Sequence, residues 1–409
     1  MRGRVDQQQS MFVAFDLEQF VPADHPLRTI KRWADGVLAE MGRDFNAAYG
    51  STGQPGVPPE RLIKALLLQA LYSISSETKL VEAIQYNLLY RWFLDLPLAE
   101  DAWTQEAFSM NRERFELHDL YRKFFDRVVA EGIDQRLASP DHFTIDGTLI
   151  RSLASHKSLK PITPTTPTTP ITPITPITPI TPITPIDAAA KREMKQDDDD
   201  HHDPSVRSRG ASRDELVDWR GQKRSNATHR SGTDPDARLA RKSDGQESHL
   251  CHSGHVLMDN RSGLCLNITV DTADGHAERR NALRMLRHVE RRHGLVPKTI
   301  GMDAGYKAGE FLCSIEDHGS TPHVPIPDGP IKGDTPQAHA RRRARRRMKT
   351  VGHRLSQRVR KRVEQIFGWS KTVAGLARTR FIGHERIEAW ALLTGAAYNL
   401  LRMTRLLPA

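Results

Sequence analysis

Proline recurs at every third position through residues 161–186, in Ile-Thr-Pro and Thr-Thr-Pro triplets. Each proline fixes φ and removes an amide donor, so a helix or a sheet ladder is excluded and extended polyproline-II is favoured. The ordered fold must therefore be built from the segments on either side, with this stretch as a flexible spacer. A proline-motif ligand for a partner is the weaker reading. Residues 187–248 stay polar and include an Asp/His cluster at 197–203, which reads as a solvated charge run before it reads as a metal site. The predicted organisation is a helical N-terminal domain over 1–135, an α/β domain formed by 136–160 and 245–409, and a largely disordered insertion over 161–244.

Residues 24–132 carry helical periodicity. Asp24 is a candidate cap with Pro26 in the first turn, followed by Leu27, Ile30, Trp33, Val37, Leu38 and Met41. Pro58-Pro59-Glu60 opens a second helix, and Ser76 starts a third that runs through Trp92 to Pro97. Two more are predicted at 104–115 and 117–131, the latter closed by Gly132. Short helices with tight breaks suit a DNA-binding bundle of helix-turn-helix type; a helical scaffold without nucleic-acid contact fits the same periodicity.

The pattern changes at His142-Phe143-Thr144-Ile145-Asp146, which alternates like a strand. Strands are predicted at 249–259, 263–271, 298–303 and around His323, with helices at 276–293, 354–367 and 384–402. This order predicts an α/β layer around a largely buried sheet.

Net charge is +10, but its distribution says more. Arg341, Arg342, Arg343, Arg345, Arg346 and Arg347 form a dense basic run, expected to bind phosphates; a disordered basic loop is the alternative. Three cysteines without CxxC spacing suit a reducing compartment. No window is apolar enough for a signal peptide or a membrane span, so a soluble, cytoplasmic protein is expected, one that phosphate binding by the basic run would associate with the nucleoid.

Asp146 and Asp303 each read as the last residue of an apolar strand, followed by Gly147 and by Ala304-Gly305. Acidic residues seldom end buried strands without a partner, so two of them could converge at one sheet edge and hold a cation. Ordinary strand-end turns are the alternative. Arg360, Glu364, Phe367 and Lys371 fall on one side of a single predicted helix, with Val359, Val363 and Ile366 as its docking stripe. That spacing predicts an inward-facing Glu364, and a surface ion-pair stripe is an equal reading. His249, Cys251, His252 and His255 invite a zinc site. Strand alternation puts His252 opposite Cys251 and His255, and no second ligand cluster completes the set, so a polar-faced strand is the better reading.

Ile145-Asp146-Gly147-Thr148-Leu149-Ile150, Ala154-Ser155-His156-Lys157-Ser158, Thr233-Asp234-Pro235-Asp236-Ala237-Arg238-Leu239, Gly301-Met302-Asp303-Ala304-Gly305-Tyr306 and Arg360-Lys361-Arg362-Val363-Glu364-Gln365-Ile366-Phe367-Gly368 resemble bacterial insertion-sequence transposases of the DDE class. Tyr72-Ser73-Ile74-Ser75-Ser76-Glu77, Tyr90-Arg91-Trp92-Phe93 and Ala397-Tyr398-Asn399-Leu400 extend the likeness over nearly the whole chain. The resemblance implies a ribonuclease-H-like mixed sheet with flanking helices, with Asp146, Asp303 and Glu364 as catalytic and metal-binding residues. The related signature Tyr-x2-Arg-x3-Glu-x6-Lys is met by Arg360, Glu364 and Lys371, whereas Gln357 stands at the tyrosine position. Hard oxygen ligands suit Mg²⁺, with Mn²⁺ as a substitute. Two ions about 3.5–4 Å apart would drive hydrolysis and then strand transfer at phosphorus. Arg360 and Lys371 would hold DNA phosphates, and the partners implied are double-stranded transposon ends, target DNA and a second copy in a synaptic homodimer. An inactive DNA-binding relic and a metal-dependent nuclease are the competing expectations.

Overall fold

The computed structural model describes residues 16–50, 52, 56–162, 218–219, 222–243 and 245–407. The repeat from residue 163 onward and the 197–203 cluster lie outside the described residues. Among the described residues eight helices precede the sheet: α1 (Leu17–Phe20), α2 (Pro26–Glu40), α3 (Gly42–Ala48), α4 (Pro59–Leu71), α5 (Glu77–Tyr86), α6 (Leu88–Phe93), α7 (Glu106–Leu117) and α8 (Leu120–Asp134). The cap of α2 is His25 rather than Asp24, because the His25 Nδ1 accepts the Leu27 N–H at 3.2 Å. The predicted third helix is two, since Asn87 interrupts it with a side chain that accepts from Leu89 and Tyr90 N–H. Gly132 lies inside α8 rather than closing it, with Leu264 filling the space a side chain would take.

The main sheet is mixed. Strand β1 (His142–Arg151) is followed by two short antiparallel ladders, β2 (Leu159–Pro161) on β5 (His229–Ser231) and β3 (Asp218–Trp219) on β4 (Gln222–Lys223). Strands β6 (Arg238–Ala240), β7 (His249–Asp259) and β8 (Cys265–Thr272) come next, and helix α9 (Ala277–His293) crosses over to β9 (Thr299–Gly301). Helix α10 (Gly309–Asp317) leads to β10 (Thr321–His323), and the chain ends in α11 (Pro336–Arg347), α12 (Val351–Arg360), α13 (Val363–Thr372) and α14 (His384–Leu406). In space β10, β9, β1 and β7 lie side by side, with β8 and β6 sharing the far edge of β7. The β7 and β8 ladders are antiparallel, while β1, β9 and β10 run parallel. Residues 229–243, predicted as part of a disordered insertion, thus contribute two strands, one of them to the main sheet.

Polar side chains satisfy the outer edge of β8, which would otherwise expose a row of amides. Asn399 of α14 donates to and accepts from the Cys265 backbone, both at 2.8 Å. Glu388 accepts the Val270 N–H at 2.9 Å, and Arg122 of α8 donates to Asn267 and the Ile268 carbonyl. Helix α14 therefore lies between the sheet and the N-terminal helices, and one continuous apolar core runs through both regions. Packing there is tight: a β-carbon on Gly395 would stand 2.8 Å from Phe125 Cε2. Gly395→Ala is expected to cost about 1–3 kcal/mol, read as a lowered midpoint of urea unfolding.

A buried polar knot ties the returning chain to β1 and β7. Asp234 accepts from Ser152 at 2.5 Å, pairs with His252 Nε2 at 2.8 Å and accepts the Gly383 N–H at 3.3 Å. Burial opposes the charge on Asp234, but the His252 and Ser152 contacts outweigh it and hold the carboxyl at about 2. No helix among the described residues is long and apolar enough to cross a membrane.

Candidate active site

Parallel pairing of β1 and β9 aligns Thr144 with Gly301. Two residues further along each chain stand Asp146 and Asp303. Asp146 does not end its strand as predicted: β1 continues past it to Arg151, because β7 offers a partner for every residue. Asp303 does leave its strand, and its Oδ1 accepts the Gly305 N–H at 2.8 Å to cap a short 3-10 turn. Burial raises the Asp146 carboxyl above the usual range against the pull of Arg360, and Asp303 and Glu364 raise it further.

Arg360, Glu364 and Lys371 do not share one helix. The predicted helix breaks at Lys361–Arg362 into α12 and α13, with the Arg362 guanidinium turned to the Asn260 carbonyl. Arg360 closes α12 and donates to Asp146 Oδ2 at 2.6 Å, while Lys371, near the end of α13, donates to Thr148 Oγ1 at 2.6 Å. Gly368 sits within α13. Glu364, predicted to face inward, is exposed at the start of α13, and the neighbouring Val363 and Ile366 dock the helix. It remains within electrostatic reach of Asp146. Burial, with Lys242 and Arg151 adding to it, lowers the Lys371 ammonium below its usual range. Gln357 donates to the Met302 and His323 carbonyls at 3.1 and 2.8 Å, stitching α12 across the ends of β9 and β10.

Two residues join this region that sequence reasoning did not single out. Glu278, in the first turn of α9, has Oε1 3.3 Å from where a β-carbon on Gly147 would lie. Its Oε2 lies 3.2 Å from the corresponding point on Gly305, which Asp303 Oδ1 approaches to 3.0 Å. Burial raises the Glu278 carboxyl, and Asp303 and Asp146 raise it further. Tyr306 is fully buried, its hydroxyl has no hydrogen-bond partner among the described residues, and its charged neighbours are Glu278, Asp146, Asp303 and Arg360. An acid in the first turn of a helix is common for dipole reasons alone, so nothing in the sequence marked Glu278.

The basic run forms helix α11 rather than a loop, and much of it is engaged internally. Arg343 and Arg347 pair with Glu316 of α10, Arg342 donates to the Ile331 and Gly333 carbonyls, and Arg345 to those of Pro327 and Gly329. Among the described residues the side chains of Arg341 and Arg346 make no hydrogen bond or ion pair, and Arg346 is exposed. Strand β7 carries the suspected zinc residues as structural ones. His252 belongs to the Asp234 knot, burial pushes the Cys251 thiol up to about 11, and burial takes His255 down to about 4.

Among the described residues no three His, Cys, Asp or Glu side chains are grouped closely enough to hold a metal ion. The donor chemistry nonetheless suits a divalent cation: hard carboxylate oxygens, an orphaned buried hydroxyl and an unpaired half-buried glutamate around Asp303. The Arg360 guanidinium occupies the Asp146 oxygen that a cation would need.

A mixed α/β sheet with aligned aspartates, joined to a helical N-terminal region, defines the architecture. Two family models match the chain: Transposase domain (DUF772) over residues 15–114 and Transposase DDE domain over residues 217–400. The chain belongs to the insertion-sequence DDE transposases. Asp303, Glu364 and Glu278 fall inside the second match, and Asp146 lies outside both. No curated protein and no solved structure matches.

Proposed function

We propose that this chain cuts the ends of its insertion sequence and joins them to target DNA, using divalent cations held by Asp146, Asp303 and Glu364. The observation that carries the reading is the register of β1 and β9, which sets Asp146 beside Asp303 with Glu364 in electrostatic reach. The strand order, third-second-first-fourth-fifth along β8, β7, β1, β9 and β10, supports assignment to the ribonuclease-H-like class. Mg²⁺, with Mn²⁺ as substitute, would supply Lewis-acid activation of the attacking oxygen and charge stabilisation at the leaving one.

The chain's own residues orient the DNA. Arg360, exchanging Asp146 for a phosphate, would release the carboxylate for metal while neutralising the backbone beside it. Lys371, already short of compensating negative charge, is suited to a second phosphate near Thr148. Arg341 and Arg346 of α11 and the N-terminal helices would extend contact along the duplex, and a second copy would bring the other end into synapsis.

Supercoiled plasmid carrying the native ends, incubated with Mg²⁺, tests the reading. Cleavage followed by strand transfer is expected; cleavage without joining favours a nuclease, and binding without cleavage an inactive relic. Lys371→Ala is expected to weaken end binding uniformly across sequences and to lower the slope of log affinity against log salt by about 0.9. An unchanged slope removes Lys371 from phosphate contact.

A further inference from the structure

The geometry points to Glu278 as an additional carboxylate of the metal centre, reaching from α9 to share a cation with Asp303. The inference rests on the proposed metal-dependent reading of Asp146 and Asp303. Glu278 Oε2 and Asp303 Oδ1 converge on one point beside Gly305, at 3.2 and 3.0 Å from it. The other oxygen of Glu278 lies against Gly147, the residue after Asp146. Neither glycine carries a side chain to fill the space these oxygens approach.

Among the described residues the Glu278 carboxylate has no hydrogen bond and no ion pair; it is half-buried and adjacent to two like charges, which the neighbouring Arg279 offsets only in part. A carboxylate in that position costs free energy unless a cation compensates it. The helix dipole of α9 accounts for an acid in its first turn, but not for a side chain turned towards two aspartates. An independent feature marks the same spot. The Tyr306 hydroxyl is fully buried and has no partner among the described residues, with Glu278, Asp146 and Asp303 as its acidic neighbours. Once a cation draws the carboxylates together, that hydroxyl can donate to an oxygen the cation leaves free, as groups behind metal ligands commonly do.

The full-length chain and the variants Glu278→Gln, Glu278→Asp and Asp303→Asn are titrated with Mn²⁺, reading the free ion by electron paramagnetic resonance. Glu278→Gln is expected to weaken Mn²⁺ binding about tenfold or more, and Glu278→Asp to regain part of that loss. Because Glu278→Gln removes a charge that Arg279 offsets only in part, the metal-free variant unfolds at the same temperature as the parent or higher. Wild-type Mn²⁺ affinity in Glu278→Gln, with binding lost in Asp303→Asn, overturns the role of Glu278 and leaves the aspartate site standing. Wild-type affinity in Asp303→Asn as well removes the site itself.

Discussion

Asp146→Asn and Asp303→Asn are each expected to reduce strand cleavage at the element's ends by about 10³-fold or more. That corresponds to about 4 kcal/mol of lost transition-state stabilisation, the scale on which a metal-activated oxygen contributes. Each substitution keeps side-chain shape and removes one negative charge. In Asp146→Asn the amide still faces Arg360 but loses the ion pair, and the guanidinium becomes free for phosphate. End binding measured by gel shift is therefore expected to be retained or slightly tightened while cleavage disappears. Glu364→Gln belongs to the same series. Its exposed carboxylate has no structural partner among the described residues, so loss of cleavage there cannot be ascribed to misfolding. Retained cleavage in any one variant removes that residue from the chemistry.

Asp234→Ala is expected to be the most damaging single change to stability, about 3–5 kcal/mol, because it strands the buried His252 and Ser152 without their common acceptor. The same carboxylate gives the fold an acid limit. Its pKa is depressed from 3.8 in the unfolded chain to about 2 when folded. A depressed carboxylate stabilises the folded state above its unfolded pKa and loses that contribution as pH falls through the folded value. Roughly 2 kcal/mol should disappear between about pH 4 and pH 2. Urea unfolding of parent and Asp234→Asn across that window checks it, since the variant's stability should fall less steeply with acid. Equal slopes would mean that His252 and Ser152 do not hold the carboxyl.

Much of the sheet was legible because its strands are written in apolar alternation. Segments 249–259 and 263–271 fall within one or two residues of β7 and β8. Asp146 and Asp303 were legible as acids in or beside apolar strands. That they stand side by side was not, because parallel register between strands more than 150 residues apart has no local signature. Periodicity also overran the break at Lys361–Arg362, where the apolar stripe continues from Val359 to Val363 although the backbone bonds tighten there to residues three apart. Charge density concealed α11: six arginines advertise phosphate binding, and only tertiary contacts reveal that Glu316 and loop carbonyls engage four of them. Gln357, where the resemblance called for tyrosine, was readable as a departure, but its bonds to the Met302 and His323 carbonyls depend on where β9 and β10 end.

Carboxylates from β1 and from the turn after β9 are proposed to hold divalent cations once DNA displaces Arg360. Anomalous X-ray scattering from Mn²⁺ in crystals of the full chain bound to its end DNA tests that most directly. Mn²⁺ coordinated by oxygens of both Asp146 and Asp303, with Arg360 moved to a phosphate, is the expected result. Manganese bound elsewhere, with Arg360 still paired to Asp146 beside a properly seated DNA end, would contradict it.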